Sequence, residues 1–231
     1  MSLSIIIPVY NEKNTIKIII EKVLKFNKLK KEIIIIDDCS NDGTSEIIND
    51  LEKNNNEITS IKHTKNQGKG AAIRTGLLKT NNDFIIIQDA DLEYDPNDYN
   101  ELLKPLLSNN ADIVFGSRFL GGGPVRVHLF WNYLANKILT LITNVFVNMN
   151  FTDIETGYKV FKSEAIKSIN LIENSFGIEP EITIKLAKKK YKFYEVPISY
   201  YGRNYDEGKK IRLKDAFEAI YCIFKYSIFN K

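Results

Sequence analysis

The chain of 231 residues carries a formal net charge of +3, and 44% of its residues are hydrophobic while 26% are charged. This length fits one α/β domain of the larger kind, and the composition is that of a globular protein rather than a disordered or collagen-like one. The near balance of acidic and basic residues excludes a protein that binds nucleic acid mainly through charge. With two cysteines and two histidines, we expect neither a disulfide framework nor a zinc site, and therefore a reduced, cytoplasmic protein.

Residues 1–119 alternate short β-branched segments with helical patterns. Strands are predicted at residues 4–9, 32–37, 58–62, 83–87 and 111–115, and helices at residues 15–26, 44–52, 69–79 and 98–107. The strand segments are rich in isoleucine and show little polar alternation, which is typical of strands that are buried on both faces. The pattern predicts an α/β fold with a doubly wound, mostly parallel sheet flanked by helices.

The pattern changes after a glycine-rich turn. A long helix is predicted at 127–148, further helices at 163–169 and 180–190, and a strand at 193–201 that Pro197 would keep near a sheet edge. The segment 213–229 predicts an aromatic-rich amphipathic helix. A polar stripe interrupts the long helix, made of Asn132, Asn136, Thr140, Thr143, Asn144 and Asn148. No segment reaches the roughly 18 to 20 apolar residues that a membrane-spanning helix needs.

Two aspartates, Asp89 and Asp91, directly follow a buried strand. Carboxylates one residue apart at a strand end can bind one hard cation such as Mg²⁺ or Mn²⁺, and Glu93 can add a third ligand. The cation would neutralise charge on the diphosphate of a nucleotide. The alternative is a solvated acidic turn, which the position after a buried strand disfavours.

Two further polar motifs lie near predicted strand ends. Asp37 and Asp38 close the second strand, and one of them is free to bind a base or a ribose. In the segment 66–70, Gly68 allows close backbone approach and Lys69 can meet a phosphate. Because the carboxyl ends of parallel strands share one edge, we expect the strand-end motifs to converge there. The absence of GxxxxGK[ST] and of GxGxxG after the first strand disfavours a P-loop or dinucleotide enzyme.

Seven motifs run through nearly the whole chain: PVYNE (8–12), DDCSNDGT (37–44), NQGKG (66–70), DADLEYDP (89–96), GSRF (116–119), DIETGYKVF (153–161) and YYGRNYDEGKKI (200–211). Together they resemble the family-2 glycosyltransferases, most closely the dolichyl-phosphate mannose synthase-like branch. The resemblance implies a GT-A type fold, an inverting mechanism and a nucleotide-diphosphate sugar donor, either GDP-mannose or UDP-glucose. It also implies one domain over 1–231, with nucleotide-sugar binding in 1–120 and acceptor binding in 121–231.

The resemblance assigns roles to residues in these motifs. The donor is expected to contact Pro8, Tyr10, Glu12, Asp37, Asp38, Gly68, Lys69 and Asp89. The metal ion, Mg²⁺ or Mn²⁺, is expected at Asp89, Asp91 and Glu93. Catalytic roles are expected for Asp91, Arg118, Asp153, Arg203 and Lys210. Arg203 and Lys210 lie in a basic loop, for which a solvated surface loop is the alternative, and Arg118 and Arg126 are candidates for phosphate contacts.

The nature of the acceptor decides whether a general base is needed. A polyprenyl phosphate is already anionic near neutral pH, so the enzyme has only to align it and to stabilise the leaving diphosphate. A diacylglycerol-type lipid or a glycan hydroxyl would need a carboxylate base, for which Asp153, Glu179 and Glu181 are candidates. A non-catalytic module that binds nucleotide sugar is the remaining alternative.

The two apolar helices of the second half predict contact with a membrane. Phe130, Trp131 and Tyr133 in the first helix, and Tyr226 and Phe229 in the second, fit an interfacial helix pair flanked by basic residues. Core packing is the alternative. We expect a cytoplasmic protein that is peripheral at the inner face of the membrane, and an oligomer remains possible.

Overall fold

A computed structural model of the protein describes residues 1–122, 125–127, 129–208 and 213–229. Within these ranges seven strands form one sheet: β1 (Ser2–Val9), β2 (Lys30–Asp37), β3 (Ile58–Lys62), β4 (Phe84–Ile87), β5 (Ile113–Ser117), β6 (Lys159–Lys162) and β7 (Phe193–Pro197). The strand order is β3-β2-β1-β4-β6-β5-β7. The flanking helices are α1 (Ile16–Lys25), α2 (Thr44–Asn54), α3 (Lys69–Leu77), α4 (Tyr99–Leu107), α5 (Phe130–Val147), α6 (Ser163–Lys167), α7 (Ile178–Lys188) and α8 (Leu213–Phe224), and a π-helical turn (Lys225–Phe229) follows α8.

The sheet is mostly parallel, as predicted. The β1, β2, β3 and β4 strands pair in parallel, as do β5 and β7, whereas β6 runs antiparallel between β4 and β5. The sequence pattern did not predict β6, because it has four residues and begins with Lys159. That lysine is fully buried, and its ammonium donates hydrogen bonds to the carbonyl oxygens of Ile154 and Thr156.

The isoleucines of the central strands pack on both faces of the sheet. In β1, Ile5 and Ile7 lie in the core cluster that includes α1 and α4, whereas Ile6 faces the cluster that includes α7 and α8. This alternation explains why the strands are apolar throughout. The prediction that β7 lies at an edge is confirmed, although the strand ends at Pro197.

Candidate active site

A cleft of about 820 Å³ lies beyond the carboxyl ends of β1, β2 and β4. Most of the predicted site residues line it: Pro8, Tyr10, Glu12, Asp38, Gly68, Lys69, Asp89, Asp91, Glu93, Arg118 and Arg203. Asp37 and Asp153 are buried behind the lining residues. Lys210 and His128 lie outside the described residues.

The two aspartates after β2 organise the loops around the cleft. Asp37 accepts hydrogen bonds from the Ser40 backbone N–H, at 2.9 Å, and from the Ser45 hydroxyl. Asp38 lies 2.6 Å from the His63 ring and accepts the backbone N–H of Gly68 at 2.7 Å. Both carboxylates therefore shape the pocket through loop contacts, and Asp38 alone of the two borders the cleft.

The loop before α3 places Lys69 over the acidic residues. Gly68 has a φ of +97°, and a side chain there would meet the Asn174 carbonyl oxygen at 2.4 Å, so the loop requires glycine. The Lys69 ammonium lies 2.8 Å from an Asp89 oxygen and 3.2 Å from a Glu179 oxygen. Burial opposes the charge, but these two carboxylates raise the pKa of Lys69 above its ordinary value. Lys69 therefore remains a cation beside Asp89.

Arg203 occupies the other side of the acidic cluster. Its guanidinium donates hydrogen bonds to Asp91 at 3.0 Å and to Glu12 at 3.1 Å. Its backbone N–H donates to Glu93 at 2.7 Å, and the other Glu93 oxygen accepts the Tyr200 hydroxyl at 2.8 Å. The segment that carries Arg203 is thus held on the carboxylates that follow β4.

The carboxylates that follow β4 are the candidate position for a divalent cation, although in this structure Lys69 pairs with Asp89 and Arg203 pairs with Asp91. Among the described residues, no three His, Cys, Asp or Glu side chains are grouped to hold a metal ion, and Glu93 is engaged by the segment 200–203. Burial and the neighbouring carboxylates of Asp89 and Glu93 raise the pKa of Asp91, and the guanidinium of Arg203 opposes this rise. Asp89 and Asp91 offer the oxygen ligands that Mg²⁺ and Mn²⁺ prefer, and the remaining ligands would come from outside this pair.

Arg118 is fixed by a buried partner. Its guanidinium forms a bidentate pair with Asp153, with both N···O distances at 2.7 Å, and Asp153 is fully buried. The guanidinium also lies 5.1 Å from the centre of the Tyr200 ring. Asp153 therefore positions Arg118 at the cleft, and its two oxygens are already occupied by a cation.

Among the base candidates, Glu179 and Glu181 are also engaged. Glu179 pairs with Lys159 and with Lys69. Glu181 accepts hydrogen bonds from the backbone N–H groups of the segment 172–173 and pairs with Lys185.

Glu155, for which the motifs predicted no role, lines the cleft. Its Oε1 is buried and accepts no hydrogen bond from any described residue. Burial raises the pKa of Glu155 to about 7. Its place inside DIETGYKVF, just before β6, was the available signal.

A second cavity of about 470 Å³ adjoins the cleft. Apolar side chains dominate its wall: Phe119, Val125, Val127, Leu129, Phe130 and Tyr133. Arg118 and Tyr200 line both this cavity and the cleft, and Arg126 adds a second guanidinium. An elongated apolar molecule with an anionic end would therefore meet arginine at the junction.

Helices α5 and α8 expose apolar side chains, which we call the apolar face: Trp131, Ile138, Leu141, Val145, Phe217, Tyr221 and Phe224. The two helices contact each other, and the rings of Phe146 and Phe224 are 5.4 Å apart. Phe229 is exposed as predicted, but Tyr226 is fully buried with its hydroxyl on Glu173, so its predicted membrane contact was wrong. No helix in the described ranges is both long enough and apolar enough to cross a membrane.

Comparison with known proteins agrees with this geometry. Residues 4–169 match the glycosyl transferase family 2 model. A dolichol-phosphate mannosyltransferase of Pyrococcus furiosus is 28% identical over 97% of this chain, which spans 63% of that protein. A dolichyl-phosphate β-glucosyltransferase of Trichomonas vaginalis is 24% identical over 99% of this chain and 73% of its own length. The glucosyl-3-phosphoglycerate synthase of Mycobacterium tuberculosis, solved with Mn²⁺, UDP and phosphoglyceric acid, superposes with a TM-score of 0.77 at 17% identity, over 100% of this chain and 80% of that one.

The seven-stranded, mostly parallel sheet with its flanking helices has the GT-A type fold of that synthase. The chain belongs to glycosyl transferase family 2, and its named relatives place it in the dolichyl-phosphate mannose synthase-like branch. It is a glycosyltransferase.

Proposed function

We propose that this enzyme transfers mannose or glucose, with inversion, from GDP-mannose or UDP-glucose to a polyprenyl phosphate at a membrane surface. The observation that carries the proposal is the junction of the two cavities at Arg118. A donor in the cleft and a lipid phosphate whose chain lies in the apolar cavity would meet there. The named relatives support this choice of substrates, because they are described as dolichyl-phosphate mannosyl- and glucosyltransferases.

The donor would bind with its nucleoside between the loops after β1 and β2 and its diphosphate over Asp89 and Asp91. A divalent cation held by these two carboxylates would supply positive charge to the leaving diphosphate. Lys69 and Arg203 are the protein cations at the same place, and both are already ordered by ion pairs. Preorganised cations stabilise developing charge without a cost of reorganisation during the reaction.

The acceptor would be aligned rather than deprotonated. The second pKa of a phosphate monoester is about 6, so its oxygen is a nucleophile without a general base. Arg118, held by Asp153, presents a fixed guanidinium to that anion. The engagement of Asp153, Glu179 and Glu181 in ion pairs agrees with a reaction that uses none of them as a base.

The apolar face would hold the enzyme at the bilayer that contains the acceptor. Trp131 is 74% exposed and Val145 is 73% exposed, which are costly exposures in water. Lys225, in the turn after α8, pairs with Glu173 at 2.7 Å, and the Lys137 ammonium lies 4.4 Å from the centre of the Phe119 ring, so the binding would rest on apolar burial rather than on these two lysines. We propose a peripheral location at the cytoplasmic face of the membrane.

The test is to incubate the purified enzyme with each donor, with Mn²⁺, and with or without a polyprenyl phosphate in detergent. Release of the nucleoside diphosphate and labelling of the lipid are measured together. We expect both to require the lipid phosphate. A dephosphorylated polyprenol is the matched acceptor control and should remain unlabelled. Transfer to the polyprenol, or donor turnover that the lipid phosphate does not stimulate, would contradict the proposed acceptor.

A further inference from the structure

We propose that Glu155 binds hydroxyl groups of the donor hexose and thereby helps to determine which sugar the enzyme accepts. This inference rests on the proposed function, because it requires a nucleotide-linked hexose in the cleft. Glu155 reaches the cleft from the loop that precedes β6. None of the roles expected from the sequence motifs involves Glu155.

The position of Glu155 along the cleft matches the sugar rather than the nucleoside. Pro8, Tyr10 and Asn66 line one end, where the loops after β1 and β3 lie, and Asp89 follows the central strand β4. Glu155 precedes β6, which pairs with β4 on the side away from β1, β2 and β3, so it lies beyond Asp89 as seen from Pro8 and Asn66. In a nucleotide sugar the hexose is bonded to the far phosphate of the diphosphate. It would therefore project from Asp89 toward the end at which Glu155 lies.

The distance from the diphosphate position is also suitable. Gly157 packs so closely on Asp89 that a side chain at 157 would lie 2.3 Å from the Oδ2 atom of Asp89. The α-carbon of Glu155 is two residues away along the chain, at most about 7 Å from that of Gly157. The Glu155 side chain can therefore contact a hexose whose phosphate lies over Asp89.

The chemistry of Glu155 suits a polyol. Its Oε1 is buried without a hydrogen-bond partner among the described residues, and a buried carboxyl group without a partner is costly. The torsion that turns a glutamate carboxyl is soft, so either oxygen can face the cleft. Neighbouring hydroxyls of a hexose would donate to this carboxylate. Pairs of fixed hydroxyl donors discriminate between sugars, because the wrong epimer leaves the carboxylate unpaired.

The charges around Glu155 predict how pH changes this contact. Burial raises its pKa to about 7; Lys159 and Arg118 lower it, whereas Glu179 and Asp153 raise it further. Glu155 therefore gains its charge between about pH 6 and 8. Because a carboxylate accepts hydrogen bonds from hydroxyls more strongly than a protonated carboxyl does, recognition of the hexose should strengthen as pH rises through this range.

The experiment measures binding of UDP, UDP-glucose, GDP and GDP-mannose, each with Mn²⁺, by calorimetry. For each nucleotide, the ratio of the Kd of the diphosphate to that of the sugar nucleotide isolates the contribution of the hexose. In Glu155→Gln we expect the ratio to fall about tenfold for the donor that the enzyme uses, with the Kd of the diphosphate unchanged. Glu155→Asp keeps the charge, retracts it by one methylene, and should lower the same ratio. Glu164→Gln, the same change on the exposed side of α6, should alter neither.

Repeating the measurement at pH 6 and pH 8 adds a second readout. In the wild type the ratio should rise with pH, and in Glu155→Gln this rise should be lost. Titration of the diphosphate itself affects both proteins equally and cancels in the comparison.

An unchanged ratio in both Glu155 variants would overturn the proposal. An unchanged ratio together with a hundredfold loss of kcat would instead make Glu155 a base for a hydroxyl acceptor. If the wild type binds none of the four nucleotides, that result contradicts the proposed function as well as the role of Glu155.

Discussion

Helices α1 and α5 contain similar fractions of apolar residues, but α1 packs most of them against the sheet, whereas α5 exposes many of them on the surface. In α1, Ile16, Ile19, Ile20 and Val23 are buried against the sheet, and the lysines face water. In α5 the buried side is polar in part, because Thr140, Thr143 and Asn144 face the protein. Leu141 and Val145 face outward instead. An apolar stripe therefore predicts a helix, but the surface that the helix covers decides where the stripe points.

The reason for this inversion is the loop that α5 supports. The Asn144 side chain exchanges two hydrogen bonds with the backbone of Phe151, at 2.8 and 2.9 Å. The Thr140 hydroxyl accepts the backbone N–H of Ile154 at 3.4 Å. This loop carries Glu155 to the cleft and Asp153 to its buried position behind the cleft wall. The polar side of α5 thus positions the site, and the apolar side is left for another environment.

We expect the largest effect from a change to the acidic residues that follow β4 in the cleft. Asp91→Asn removes a carboxylate charge at the strand end while it preserves the shape of the side chain. We expect kcat to fall by about 100- to 1000-fold, the range for loss of one preorganised electrostatic group. Circular dichroism should remain that of the wild type, since Asp91 lies at a cleft wall. Wild-type turnover in this variant, or in excess chelator, would remove the metal site from the mechanism.

A smaller loss is expected for Arg203→Ala. The guanidinium bridges Asp91 and Glu12, and its removal takes away a cation from the position of the donor diphosphate. We expect a loss of about 2 to 4 kcal/mol in transition-state stabilisation, measured as kcat/KM. Arg203→Lys is the matched control, which keeps the charge but not the forked geometry and should be intermediate. Equal kcat/KM in all three proteins would mean that Arg203 holds its segment on the carboxylates without acting on the donor.

A matched pair of substitutions tests whether the apolar face binds a membrane. Ile138 on α5 is 45% exposed, and Ile18 on α1 is 46% exposed. Ile138→Glu should weaken binding to anionic vesicles about tenfold, because it removes an apolar contact and adds a charge of the wrong sign. Ile18→Glu should have no effect. Flotation at several salt concentrations measures both, and equal behaviour of the two variants would mean that α5 does not enter the bilayer.

The smallest effect concerns the buried polar side of α5. The Thr143 hydroxyl is buried and has no hydrogen-bond partner among the described residues. Thr143→Val keeps the shape and should raise the free energy of unfolding by about 1 kcal/mol, measured by urea denaturation. Thr140→Val, which deletes an acceptor for the Ile154 N–H, should lower it instead. If both variants were destabilised equally, the hydroxyl of Thr143 would have a partner in solution.

The sequence predicted the strand ends better than the partners of the site residues. Asp89 and Asp91 could be placed because strand position and residue type suffice for that inference. The pairing of Asp153 with Arg118 and the unpaired Oε1 of Glu155 could not be predicted in this way. Both depend on contacts between side chains that are distant in sequence. Tyr226 was assigned to the wrong side of the C-terminal segment for a related reason. Periodicity defines a helix face, but the local π-helical turn at 225–229 changes the phase of that face.

Tyr200 connects the two cavities, and that connection has a thermodynamic consequence. Its hydroxyl donates a hydrogen bond to Glu93 in the cleft, its backbone carbonyl accepts the N–H of Arg126 beside the apolar cavity, and its side chain lies in the wall of both. If a bound donor drew Arg203 away from the carboxylates and Tyr200, three residues earlier, moved with it, the wall of the apolar cavity would change as well. The affinities for the two substrates would then be linked, and any factor by which the donor changed the affinity for the acceptor would equal the factor by which the acceptor changed the affinity for the donor.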